Sequence, residues 1–205
     1  MLYLSLIANL AIVTLEGWTL GHLRRKRDLF KYYTYLQSLI ALLISAAFCV
    51  CGAAALMQNR SMPQALRGLR YVASCGLTAA MLVYAVFLSS SSRNQLTEAD
   101  FKPGIAPGTA NLMLHFLCPM LSLVSFLVFE RPIAVTDAHW TAFAAIPSCG
   151  YWIVYLLLSA FHLWEEPYAL ASAENGRKQR LPQSLVAALL PLSFIVISMI
   201  LWNLR

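Results

Sequence analysis

The chain alternates long apolar runs with short polar breaks, and each run is close to the length of a membrane helix. Taken as helices, the runs predict six, over residues 1–22, 32–57, 69–88, 109–129, 140–164 and 183–204. A helix rises about 1.5 Å per residue and a bilayer core is about 30 Å thick, so about 20 apolar residues suffice to cross. The expected fold is all-α: a polytopic membrane protein with six transmembrane helices in one bundle, a single domain over residues 1–205. No repeat of fixed period divides it.

The breaks have their own character. Residues 23–31 carry Arg24, Arg25, Lys26, Arg27 and Lys31 against Asp28. The next break holds Asn59, Arg60, Ser61, Pro63 and Arg67, and the third, residues 89–108, runs from four serines to Pro103, Gly104 and Pro107, with Glu98 and Asp100 between. Such clusters read as loops, and Thr109 after them as the N-cap of the fourth helix. Glu130-Arg131-Pro132 ends that helix, and a polar stretch with Arg177, Lys178 and Arg180 separates the last two. Pro119, Pro147 and Pro191 fall inside predicted spans. Membrane helices tolerate this because neighbours satisfy the freed carbonyl. Pro147 and Gly150 together are expected to interrupt the fifth helix. Gly52 and the alanines around it suit close packing at the far end of the second. The first run lacks a basic lead and is followed by positive charge, not a cleavage site, so it is expected to be a retained span.

Composition agrees with a membrane protein. Of 205 residues, 60% are hydrophobic and 12% charged, against about 25% charged in soluble domains; the mean hydropathy is +0.65. The net charge of +6 sits between the apolar runs, which marks topology and not a nucleic-acid footprint. Loops 1–2, 3–4 and 5–6 hold ten Lys and Arg, and the opposite side five: Arg60, Arg67, Arg70, Arg131 and Arg205. The expectation is that the richer side is cytoplasmic and both termini lie outside. The five cysteines all fall in apolar runs without zinc-finger spacing. They read as small buried hydrophobes, with Cys118 a secondary candidate nucleophile one turn from His115.

Candidate chemistry gathers at one membrane face. Even-numbered helices start, and odd-numbered helices end, on the side of loops 1–2, 3–4 and 5–6. Thr34 opens the second helix and His115 lies about two turns into the fourth. Tyr84 ends the third, His22 the first, and His162 the fifth, with Glu165 and Glu166 just beyond; His139 alone among the histidines lies on the other side. Glu16 stands eight residues before Arg24, about 12 Å of helix, as a network partner or an active-site acid. A titratable group in an apolar span is a functional-site candidate. A threonine hydroxyl becomes nucleophilic when a base takes its proton, and histidine is the usual base. The starts of helices 2 and 4 offer free amides and positive dipole ends for an oxyanion. Against this, a threonine near a helix start is more often a cap or a back-bonding side chain, His115 reads also as a bridge between helices, and tyrosines such as Tyr32 and Tyr33 more often form an interfacial belt.

Several short segments carry a family resemblance. Tyr33-Thr34-Tyr35-Leu36, Leu82-Val83-Tyr84, His115-Phe-Leu-Cys-Pro119 and the stretch from Trp140 to Tyr151 resemble, in order, motifs of the androgen-induced and androgen-dependent six-span membrane hydrolases and their bacterial relatives. The resemblance implies a threonine-type hydrolase of lipid esters, such as fatty-acid esters of hydroxy fatty acids. Thr34 would be the nucleophile and His115 the base, in a bacterial cytoplasmic membrane and with no cofactor. Gln37-Ser38 stands where the family tends to have Ser-Asn, and Ser125 where bacterial members often carry Asp. Glu16, Ser38, Tyr84, Asn111 and Ser125 are therefore the candidate supporting residues. Two other readings stay open. One is a metal-dependent hydrolase using His22, His115, His162 and Glu165, although no HExxH spacing favours it. The other is a binding or transport protein with a polar cavity. The expected partners are a lipid and the bilayer, with no nucleic acid; the oligomeric state is open.

Overall fold

The computed structural model describes residues 1–24, 32–88, 97–130, 139–161, 163 and 183–204, and among them it is an all-helical bundle. Six helices follow the apolar runs: α1 (Leu2–Gly21), α2 (Tyr33–Met57), α3 (Gln64–Val83, continued by a π turn over Tyr84–Leu88), α4 (Pro107–Phe129), α5 (His139–Ala160) and α6 (Gln183–Leu204). Five of the described helices, α1 to α5, are long and apolar enough to cross a membrane, and α6 spans 22 residues.

Four details differ from the expectation. Helix α3 begins at Gln64 behind Pro63, five residues ahead of the expected Leu69, so Arg70 lies inside it. Helix α4 starts with Pro107 behind Ala106, so Thr109 is not its cap; proline's fixed φ and missing amide suit the first turn. Helix α5 runs unbroken through Pro147 and Gly150, and it ends at Ala160, short of residue 164. Residues 98–100 form one 3-10 turn within the expected loop, closed by a capping box between Thr97 and Asp100.

Helices α1, α2, α3 and α4 close a ring in which each touches the next and α4 returns to α1; α5 and α6 pair with each other against α3. Small residues set these approaches. A Cβ on Gly68 would collide with the Trp140 indole, one on Gly76 with the Gln37 amide, and one on Gly52 with Leu6. Tyr71 of α3 donates a 2.6 Å hydrogen bond to the Ser198 carbonyl of α6. Tyr33 of α2 shares one of 2.8 Å with Ser148 of α5. Tyr33 is thus a buried link, not part of an interfacial belt.

The bundle is polar inside and apolar outside. Leu43, Val50, Val86, Val128, Ile153 and Leu157 are exposed, whereas Ser5, Asn9, Glu16, Ser38, Ser45, Arg70, Ser74, Ser122 and Ser125 are fully buried. Hydrocarbon around the bundle removes the cost of the first set, and ring-facing partners are needed for the second.

One end of the ring is covered. Residues 97–106 cross it as a strap, and Phe101 pairs with Leu23 in an isolated antiparallel bridge. The Arg24 amide donates to the Asp100 carbonyl at 2.9 Å and the Lys102 amide to the His22 carbonyl at 2.7 Å. Phe101 and Ile105 of the strap join Leu20, Leu23, Tyr35, Ala110 and Leu114 in an apolar plug. Gly104, at φ +116°, lets the strap turn beside the His22 ring.

Candidate active site

Helix α4 positions His115 through Pro119. Proline lacks an amide hydrogen and its ring presses on the carbonyl four residues back, which here belongs to His115. The helix accommodates this with a π turn over Met113–Leu117, and His115 is at its middle. Single π turns of this kind recur at functional sites. The imidazole is 6% exposed. It stacks on the Tyr84 ring with centroids 3.7 Å and planes 15° apart. Tyr84 itself opens the π turn of α3, and its hydroxyl accepts a 2.6 Å hydrogen bond from the Asn111 amide, one turn before His115. Three of the expected site residues therefore meet. His115 does bridge two helices through the stack, yet its buried Nδ1 has no hydrogen-bond partner.

Thr34 is the second residue of α2, whose N-cap position is Tyr32, so Thr34 is not itself a cap. It is 6% exposed. Helix α2 touches the π turn that carries His115, and Tyr35 and Leu114, their chain neighbours, share the apolar plug. Among the described residues no hydrogen bond joins Thr34 to His115.

Glu16 of α1 lies one turn deeper. It is fully buried. The Ser38 hydroxyl and the Cys118 thiol face its carboxylate, but neither carboxylate oxygen and not the Ser38 oxygen closes a hydrogen bond. Ser38 follows Thr34 by one turn on α2 and Cys118 follows His115 by one turn on α4, so both are on the inward side of the Thr34–His115 level. Thr19, a turn nearer the strap, donates to the Leu15 carbonyl at 2.8 Å and lies 3.5 Å from the Met113 sulfur.

Ser125 belongs elsewhere. It is ten residues beyond His115, about 15 Å along a helix, and donates a 2.7 Å hydrogen bond to Glu130. The same Glu130 oxygen accepts from Ser5 at 3.0 Å and Asn9 at 3.2 Å and stands 3.4 Å from Arg70 Nε. Arg70 donates further to Ser74 and Ser122, both at 2.8 Å. This ion pair ties α1, α3 and α4 together at the end away from the strap. Sequence reading missed it by placing Arg70 at a helix boundary and treating Glu130 as a stop. The available signal was Arg70 four residues before Ser74, with Ser122 and Ser125 on one stripe of α4.

The metal alternative gains nothing from the described residues. His22 Nδ1 is 2.8 Å from the Trp18 carbonyl, and among the described residues no group of three or more His, Cys, Asp or Glu side chains comes together. His162 and Glu165 lie outside the described residues.

No protein-family model, no curated protein and no solved structure matches the chain.

Proposed function

We propose that the chain is an integral-membrane hydrolase of lipid esters, with Thr34 as nucleophile and His115 as its base. The observation that carries this reading is the buried His115 imidazole, held by Tyr84 on a π turn while its Nδ1 stays without a partner. A base needs a ring nitrogen that no donor occupies. In the proposed reaction His115 takes the Thr34 proton, the threonine oxygen attacks the ester carbonyl, and His115 returns the proton to the departing alcohol. Water then releases the acid from the acyl-threonine by the same steps in reverse. Closing on substrate brings the two side chains into hydrogen-bond reach; such contacts are often open before substrate binds. The resemblance of the segments around Thr34, Tyr84 and His115 to the six-span hydrolases supports the same assignment, with fatty-acid esters of hydroxy fatty acids as the first substrates to try.

Labelling of the purified protein with a fluorophosphonate tests it. Thr34 is expected to carry the label, and Thr34→Ala and His115→Ala to lose it while keeping the wild-type helical content. Labelling of a folded His115→Ala variant at the wild-type rate would sink the dyad.

A second reading, a non-enzymatic protein with a polar ligand site, is favoured by the missing Thr34–His115 hydrogen bond and the bare Glu16 carboxylate. It predicts ligand binding with no labelling at Thr34.

The site end is assigned to the cytoplasmic side. Arg70, buried against Glu130, is not a loop charge, which leaves ten Lys and Arg on that side against four opposite.

A further inference from the structure

Among the described residues, the bundle buries two carboxylates inside its ring and treats them differently. Glu130 receives hydrogen bonds from Ser5, Asn9 and Ser125 and pairs with Arg70. That is how a carboxylate is kept inside a low-dielectric interior when its role is to hold helices together. Glu16 is as deeply buried, inside a helix apolar enough to span a membrane, yet both of its oxygens lack a partner. The hydroxyl beside it, on Ser38, is likewise unsatisfied. Ser38 lies a turn below Thr34, and Cys118 a turn below His115, so the Glu16 carboxyl that they face lies one turn inward of the candidate active site.

A carboxylate accepts hydrogen bonds and offers none. Where the facing protein donors, here the Ser38 hydroxyl and the Cys118 thiol, close no hydrogen bond to a buried one, a ligand that brings a donor of its own can take that place. We propose that Glu16, with Ser38 beside it, is a binding subsite for a hydrogen-bond-donating group of a lipid, a free hydroxyl or an ammonium, seated one turn inward of Thr34 and His115. This rests on the hydrolase reading and deepens it by narrowing its substrate class, among lipid esters, to one whose polar end carries an unesterified donor next to the ester, which sets it apart from fatty-acid esters of hydroxy fatty acids. The subsite itself does not require catalysis.

Binding to the full-length protein in detergent tests it with three non-hydrolysable probes: 1-O-oleylglycerol, its di-O-methyl ether and oleylamine. At least one of the two donor probes is expected to bind wild type at least tenfold tighter than the ether. Preference for the glycerol marks a hydroxyl ligand, and preference for the amine an ammonium. Glu16→Gln and Glu16→Leu are expected to abolish that preference. Equal binding of all three probes, no binding of either donor, or a preference that survives in Glu16→Leu would overturn the subsite. Stability provides a second readout. Glu16→Leu is expected to melt at or above wild type, because it removes an unsatisfied group, whereas Glu130→Leu melts lower; a drop for Glu16→Leu matching that of Glu130→Leu would mean a structural role and overturn the proposal. The two readings fail separately. A Glu16-dependent preference without labelling at Thr34 refutes only the hydrolase, and labelling without that preference refutes only the subsite.

Discussion

Removing Arg70 would leave the Glu130 carboxylate buried without its cation, and removing Glu130 would strand the guanidinium. Breaking a buried pair from one side costs about 3–5 kcal/mol, whereas replacing both partners by apolar groups is often close to neutral. Arg70→Ala and Glu130→Ala are each expected to lower the melting temperature sharply, and Arg70→Met with Glu130→Leu to recover most of the loss. Thermal unfolding in detergent would show this, and additive losses in the double variant would mean that the two side chains are not a unit. At this scale the sequence was informative where chemistry is rare. His115 stood out as an imidazole in an apolar run, and the Tyr84 and Asn111 that meet it were within its predicted level. Ser125 and Arg70 were misplaced for one reason. A position on a helix is legible one residue at a time, but which distant residue it faces is decided by packing, and the pair of Arg70 and Glu130 is separated by 60 positions of chain.

At the scale of elements, the π turns are what packing and proline add to a plain apolar helix. Pro119→Ala restores an amide donor to the His115 carbonyl and removes the ring that presses on it. A proline in a helix interior costs about 3 kcal/mol, so this variant is expected to melt higher. The π turn would relax, His115 would leave the Tyr84 ring, and labelling at Thr34 would fall about tenfold, roughly 1.4 kcal/mol; labelling at the wild-type rate would mean that the π turn does not position the base. Gly68→Ala acts on another contact, the approach of α3 to Trp140 of α5. Overpacking of this kind costs about 1–3 kcal/mol, and the loss should be rescued by Trp140→Leu. The six helices were legible because apolar length is a local property. The early starts of α3 and α4 were not, because Pro63 and Pro107 read first as loop residues and only afterwards as the N-terminal punctuation of a helix.

At the scale of the whole molecule, the ring of α1 to α4 with α5 and α6 against α3 was not readable in advance, since neighbour choice depends on small residues such as Gly52, Gly68 and Gly76 meeting particular side chains. The assignment of sides can be checked directly. A cysteine placed at Asn59 is expected to react with a membrane-impermeant maleimide on intact cells, and one placed at Thr97 only after permeabilisation; the reverse pattern would invert the topology. The strap of residues 97–106 has a further consequence. Its apolar plug covers the level of Thr34 and His115, so on the proposed reading a ligand for this site would arrive sideways, already dissolved in the leaflet. Turnover would then follow surface dilution: at fixed bulk amount, adding inert lipid would slow the reaction, because the quantity the protein senses is the mole fraction of substrate in two dimensions.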